Sequence, residues 1–287
     1  MSLDLPARHT QKPIIQFELT VKQAGPLIDL LVAKSGLSKR KIKEVMQKGA
    51  VWLRKGKGKM QRIRKASVAL RVGDSIEFYY DETILERTAP APKCLWRHEE
   101  YSVWFKPAGL LSQGNQFGDH LSLLRLAQLQ HPLRKPVYMV HRLDREAQGL
   151  VLLAHNKTAA RHLSQLFQRQ QIDKKYRVIV KGKTEQQGLI TSPLDGKTAR
   201  SEYYCESYDA DTDTSTLAVT IHSGRTHQIR RHLNMINHPV MGDPRYGRGN
   251  KADTGLALTA IELGFQCPYQ RIDRQFELSA LLAEASS

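Results

Sequence analysis

The chain has 287 residues, 40% of them hydrophobic, and a formal charge of +16. That length predicts two folded units with ample core, and the basic excess favours polyanionic partners, nucleic acid ahead of acidic membrane surfaces. No apolar run approaches the roughly 18 residues that cross a bilayer, and the first residues, MSLDLPARHTQK, lack a secretory pattern, so a soluble, cytoplasmic monomer without membrane attachment is expected.

Residues 1–12 show no periodicity and read as a loose arm. Residues 14–20 read as a strand, and 26–34 as a short helix with Leu27, Leu30 and Leu31 on one face and a stop at Gly36. A second helix is predicted over 38–48. There Ile42, Val45 and Met46 share a buried face, while Lys39, Arg40 and Lys43 collect into a basic ridge. Residues 51–53, 68–70 and 75–80 read as strands, interrupted by the turn LRKGKGK and by Gly73-Asp74. Between positions 36 and 65 stand twelve Lys or Arg and one acid, Glu44, for a charge of +11. The interleaved apolar residues argue for a folded basic domain over 13–86 rather than a solvated tail. Proline-rich residues 87–94 read as a linker.

From residue 95 to 287 the texture is that of a mixed α/β domain. Strands are expected over 101–105, 149–155, 175–180, 201–207 and 216–222. Helices are expected over 158–170, with Ala159, Leu163, Leu166 and Phe167 on one face, and over 226–237, with Ile229, Leu233 and Ile236 inward. Periodicity supports a mixed sheet with flanking helices and goes no further.

The chemistry concentrates in VHRLDREAQGLVLLAHN. Asp144 lies between Arg142 and Arg145, just ahead of Gly149 and an aliphatic strand. Neighbouring cations favour the charged form of a carboxyl, so Asp144 could act as nucleophile or general base. On spacing alone an ordinary loop ion pair is the commoner reading. Tyr176 on an alternating strand and Arg230 on a helix would each pass, taken singly, for ordinary core or surface residues. His227 and His232 are five apart, a poor fit to zinc, and Cys94, Cys205 and Cys267 are widely spaced without a CxxC. No phosphate loop or dinucleotide fingerprint is present, so neither metal nor cofactor is expected. A hydrolase would require a second carboxylate or a metal cluster near Asp144, and the sequence displays neither there.

Four segments in order resemble the RluA-type pseudouridine synthases: VWFKPAGLLSQG, HRLD with its following glycine and strand, KKYRVIVKG, and SGRTHQIRRHLNMINHPVMGDPRYG. Residues 13–82, with SGLSKRKIKEVMQKGAV and VGDSIEF, resemble the RNA-binding domain named after the fourth protein of the small ribosomal subunit. Together the similarity spans about residues 13–265. The resemblance implies an α+β fold with a mixed, mostly antiparallel sheet, and isomerisation of uridine to pseudouridine in structured RNA, ribosomal RNA ahead of transfer RNA. It implies Asp144 as catalytic nucleophile, Tyr176 stacked on the uracil, and Arg230 paired with Asp144. Arg142 would fill the space left by the flipped uridine. His141, Arg225 and Lys106 would contact substrate, with Arg225 and Lys106 on phosphate, and Lys39, Arg40 and Lys43 would grip RNA. The chain departs from the family after HRLD, where an acid, threonine and serine usually precede the glycine. Here stand Arg145, Glu146, Ala147 and Gln148, so two hydroxyls are missing, each able to bring a hydrogen bond of about 1 kcal/mol. An inactive RNA-binding protein on a synthase scaffold is the alternative that this departure raises.

Overall fold

A computed structural model describes residues 13–131 and 136–284; the expected arm, residues 1–12, lies outside them. The chain divides into two compact units, one running through Thr88 and including Gly114–Ser122, the other comprising Ala89–Gln113 and Leu123 onward.

In the first unit the elements are β1 (Ile14–Thr20), β2 (Gly25–Pro26), α1 (Leu27–Ser35), α2 (Lys39–Gln47), β3 (Val51–Arg54), β4 (Gln61–Arg62), β5 (Ala69–Leu70), β6 (Ser75–Asp81) and α3 (Glu82–Leu85). An antiparallel sheet runs β1-β6-β3-β4, and β2 pairs with β5. Gly36 ends α1 at φ 72°, a left-handed conformation that glycine adopts without a Cβ penalty. Ser38 opens α2 by accepting from the amide of Lys41. The apolar stripe of α2, Ile42, Val45 and Met46, is fully buried with Leu27, Leu31 and Phe78. Gly114–Ser122, grouped with the second domain by sequence texture, joins this unit because both carboxylate oxygens of Asp119 accept from Arg64 Nη2 at 2.6 Å and the Gln116 carbonyl accepts from the Trp52 indole.

The second unit contains β7 (Lys93–Arg97), β8 (Tyr101–Lys106), α4 (Leu123–Gln130), β9 (Tyr138–Met139), β10 (Gln148–Ala154), α5 (Lys157–Gln168), β11 (Asp173–Lys181), β12 (Gln187–Ile190), β13 (Ser201–Asp209), β14 (Thr214–Ile221), α6 (Gln228–Met235), β15 (Leu258–Gln266), β16 (Asp273–Glu277) and α7 (Leu278–Glu284). The expected linker is shortened at its end, since Lys93 and Cys94 already pair with β8. The main sheet runs β12-β13-β14-β11-β15-β10-β8-β7, with β16 on β15 and β9 on β10. Its strand pairs are antiparallel except β10 with β15. This is the mixed, mostly antiparallel α+β architecture expected of the sequence. The aliphatic run of β10 is buried because β8 and β15 flank it and α5 packs Ala159 and Leu163 into the same core. Among the described residues no helix is long and apolar enough to cross a membrane.

Candidate active site

Three strands meet where β10 begins. Gly149 pairs with Ala260 of β15, and Ala260 pairs on its other side with Tyr176 of β11, just past a bulge at Lys175/Tyr176. Gly149 has φ 117°, and a Cβ there would lie 2.2 Å from the Ala260 carbonyl oxygen. Only glycine permits this approach, which sets the end of the HRLDR loop beside Tyr176.

The loop itself is clamped from behind. Ser112 donates from its hydroxyl to the Leu143 carbonyl at 2.6 Å and accepts from the Leu143 amide at 3.0 Å. Lys106, fully buried, donates to the carbonyls of Pro107, Leu110 and Arg145. His141 accepts from the Leu152 amide through Nε2 and stacks on Phe167 at 4.4 Å. Asp144 lies between these anchors and lines a cavity of about 540 Å³ together with Arg142, Tyr176, Arg225, His227 and Arg230.

A buried ion chain backs Asp144. Arg230, 2% exposed, donates to Asp144 Oδ2 at 2.9 Å and, through Nε and the second NH2 group, to both oxygens of Asp243 at 2.7 Å. Burial opposes the guanidinium charge, but the bonds to Asp243 and Asp144 outweigh it and hold Arg230 firmly protonated. Asp243 is likewise opposed by burial, yet Arg230 and the amides of Arg245 and Tyr246 bring its carboxyl below the ordinary range. The second oxygen of Asp144 lies 3.7 Å from His227 Nε2. His227 has a left-handed backbone, φ 53°, and its Nδ1 is 3.0 Å from the Tyr246 hydroxyl. Burial, then the charges of Arg230 and Arg245, lower its pKa against the pull of Asp144 and Asp243. Burial and the nearby Asp144 charge push the Tyr176 phenol up, so it stays protonated at neutral pH. The arrangement presents one carboxylate to the cavity while the second, Asp243, is occupied by Arg230. That is a site for nucleophilic or base chemistry by a single acid.

The RNA pseudouridylate synthase family model matches residues 100–235. A relative from Aquifex aeolicus, described as an uncharacterized RNA pseudouridine synthase, is 30% identical over 80% of this chain and 79% of its own length. The chain belongs to the RNA pseudouridine synthase family. The family also includes a tRNA pseudouridine synthase C from Haemophilus ducreyi, 30% identical over 53% of this chain and 73% of its own. A ribosomal large subunit pseudouridine synthase D from Nitrosomonas europaea is 32% identical over 61% of this chain and 57% of its own. The solved human RNA pseudouridylate synthase domain containing 4 shares the fold, with a TM-score of 0.54 at 23% identity over 64% of this chain and 87% of that one.

Against this synthase fold the residues singled out by sequence separate. Asp144, Tyr176 and Arg230 are brought together. Arg142 is exposed on the cavity edge, and Arg225 lines it while donating from Nε to the Thr198 carbonyl. Lys106 is a correction. With no exposed surface and three carbonyl acceptors it is a strut beneath the loop, out of reach of a phosphate, and burial lowers its pKa to about 8 despite Glu146 and Asp144. His141 lines the cavity, but its Nε2 is committed to Leu152, and burial followed by the Lys174 charge pushes its pKa down to about 3. It is a neutral wedge rather than a hydrogen-bonding contact through that nitrogen. Lys39, Arg40 and Lys43 stand exposed on α2 in the first unit, Lys39 bridged to Asp29 at 2.7 Å. Where the family's two hydroxyls are missing, Ala147 is buried in the cavity wall and Gln148 donates to Thr259 Oγ1 at 3.2 Å. Sequence reasoning did not single out Asp243, although it stands in the quoted MGDPRYG segment; an acid in a Gly-Asp-Pro turn is the one signal that could have marked it.

Proposed function

We propose that this synthase isomerises specific uridines of structured RNA to pseudouridine with Asp144 as catalytic nucleophile, and that ribosomal RNA is its substrate ahead of transfer RNA. The N-glycosidic bond between N1 and C1′ breaks, the uracil turns in place, and C5 bonds to C1′ while the C5 proton leaves and N1 gains one. In this reading Arg230 orients Asp144, and Tyr176 stacks on the uracil. Arg142 fills the stack after the uridine flips out, and Arg225 holds backbone phosphate. The chain is taken as RluA-type, and its first unit, residues 13–86 in the main, as the RNA-gripping domain like that of the fourth small-subunit ribosomal protein. The observation that carries the reading is the 2.9 Å bond of Arg230 to Asp144, on a cavity that Tyr176 also lines. The exposed basic α2 favours ribosomal RNA, since an added grip suits a large folded substrate; relatives named for either RNA exist.

Asp144→Asn keeps the shape and removes the charge. Pseudouridine formation should fall below about 1% of wild type with RNA binding nearly intact, as expected when an essential catalytic group is lost. Carbodiimide sequencing of RNA from cells with and without the gene identifies the uridine, and turnover above that level in Asp144→Asn removes the assignment.

A further inference from the structure

The lining of the same cavity includes a lysine that none of these roles uses. Lys174 precedes Tyr176 by two residues on β11, so the two side chains leave the same face of the strand. It is 7% exposed and lines the cavity. Lys106, as deeply buried, ends on three carbonyl oxygens. The Lys174 ammonium has neither hydrogen bond nor ion pair among the described residues; its recorded neighbour is the Phe167 ring, 6.0 Å away. Most of the side chain is buried while its ammonium opens on the cavity, so a ligand that enters there can supply the acceptor that the protein does not.

We propose that Lys174 is a substrate-binding residue that donates to a carbonyl oxygen of the target uracil. The proposal rests on reading this cavity as the uridine site. Burial of the lysine stem favours the base over a phosphate. The apolar Phe167, Ile221 and Leu258 line the same cavity, whereas Arg142 is the cation exposed to solvent. A phosphate drawn in among these apolar residues would lose hydration, whereas a neutral base enters at less cost. Burial lowers the Lys174 pKa, with the adjoining Asp173 opposing, so its proton is readily shared. When the N1–C1′ bond breaks, its electron pair stays on the base and spreads onto the ring carbonyls. A donor already set against one of them binds the transition state more tightly than the neutral uridine.

The probe is bulk RNA from cells lacking this gene, tritiated at uridine C5, so that isomerisation releases label. Lys174→Met should fold as well as wild type, bind RNA with an unchanged salt dependence, and lose about 100-fold in single-turnover rate at saturating RNA. Lys174→Gln, which keeps a neutral donor, should fall between the two and covers the case in which methionine disturbs the fold. A rate within about threefold of wild type for both variants, with Asp144→Asn inactive, overturns the Lys174 assignment alone. A retained rate with a salt slope shallower by about 0.7–0.9 shows a phosphate contact and overturns it as well. If Asp144→Asn turns over, the reading of the cavity fails and the Lys174 assignment with it.

Discussion

On α2 of the first unit Arg40 and Lys43 are exposed, and no carboxylate bonds either among the described residues. In the second unit Arg230 is buried between two carboxylates, each fixed against its guanidinium. The same residue class therefore works in two dielectric regimes. Exposed cations are hydrated and screened, contribute little to folding, and remain available to a polyanion. A buried cation costs several kcal/mol to dehydrate, so its partners must be in place, and what that cost secures is position. In the proposed reading the exposed cations of α2 serve attraction and the buried Arg230 serves position.

The contrast can be broken at several points. Arg230→Met and Arg225→Met separate position from attraction within the cavity itself. Arg230→Met should depress the saturated rate by about 100-fold or more, since Asp144 loses its orienting donor. Arg225→Met should mainly raise the half-saturation concentration of RNA. Single-turnover kinetics with the two effects exchanged would reverse the roles proposed for the two arginines.

Asp243→Asn should cost about 3–5 kcal/mol of stability, because it leaves a buried guanidinium short of its main partner. Asp144→Asn, at a 19% exposed position, should cost clearly less while removing the activity. Thermal melts of both variants test this, and equal losses would mean that Asp243 is not the structural end of the chain. Asp243 also predicts acid sensitivity. Its carboxyl is depressed in the folded state, so its contribution is present above the unfolded pKa of 3.8 and is lost as pH falls through the lower folded value.

Lys106 acts in the same direction in a higher pH window. Its folded pKa of about 8 lies below the ordinary 10.5, so between those values the unfolded chain holds the proton that the folded one has released. Stability should therefore rise with pH across that window, by at most about 1.4 kcal/mol per pH unit, and Lys106→Met should abolish the rise. Urea melts at pH 7.5, 9 and 10 measure it; an unchanged slope in the variant removes Lys106 as its source.

The smallest effect on the fold belongs to α2. Changing Arg40 and Lys43 together to Gln should leave stability within about 1 kcal/mol, since exposed charges contribute little. The salt dependence of RNA binding should flatten by about 1.4–1.8 in slope if each contacts one phosphate. The saturated rate should hold. Unchanged affinity and slope would show that this face does not grip RNA.

Much of this was written in local pattern. The stripes of α2 and α5, the alternation of β11 and β14, and the buried run of β10 follow from side-chain period alone, because one face of each must leave water. The motif around Asp144 likewise survives as a string. Local pattern was weaker at β15, a central strand whose run LTAIELGFQ mixes Glu262 and Gly264 with apolar residues, and its place between β11 and β10 depends on partners distant in sequence. It could not assign Gly114–Ser122 to the first unit, since Asp119 acquires meaning only from Arg64, 55 residues away. Nor could it tell the lysines apart. Lys106 and Lys174 are both buried strand lysines, and only the tertiary structure decides that one meets three carbonyls while the other meets a cavity. Side-chain period sets which face is buried; what a buried charge finds there is set by chain brought in from elsewhere.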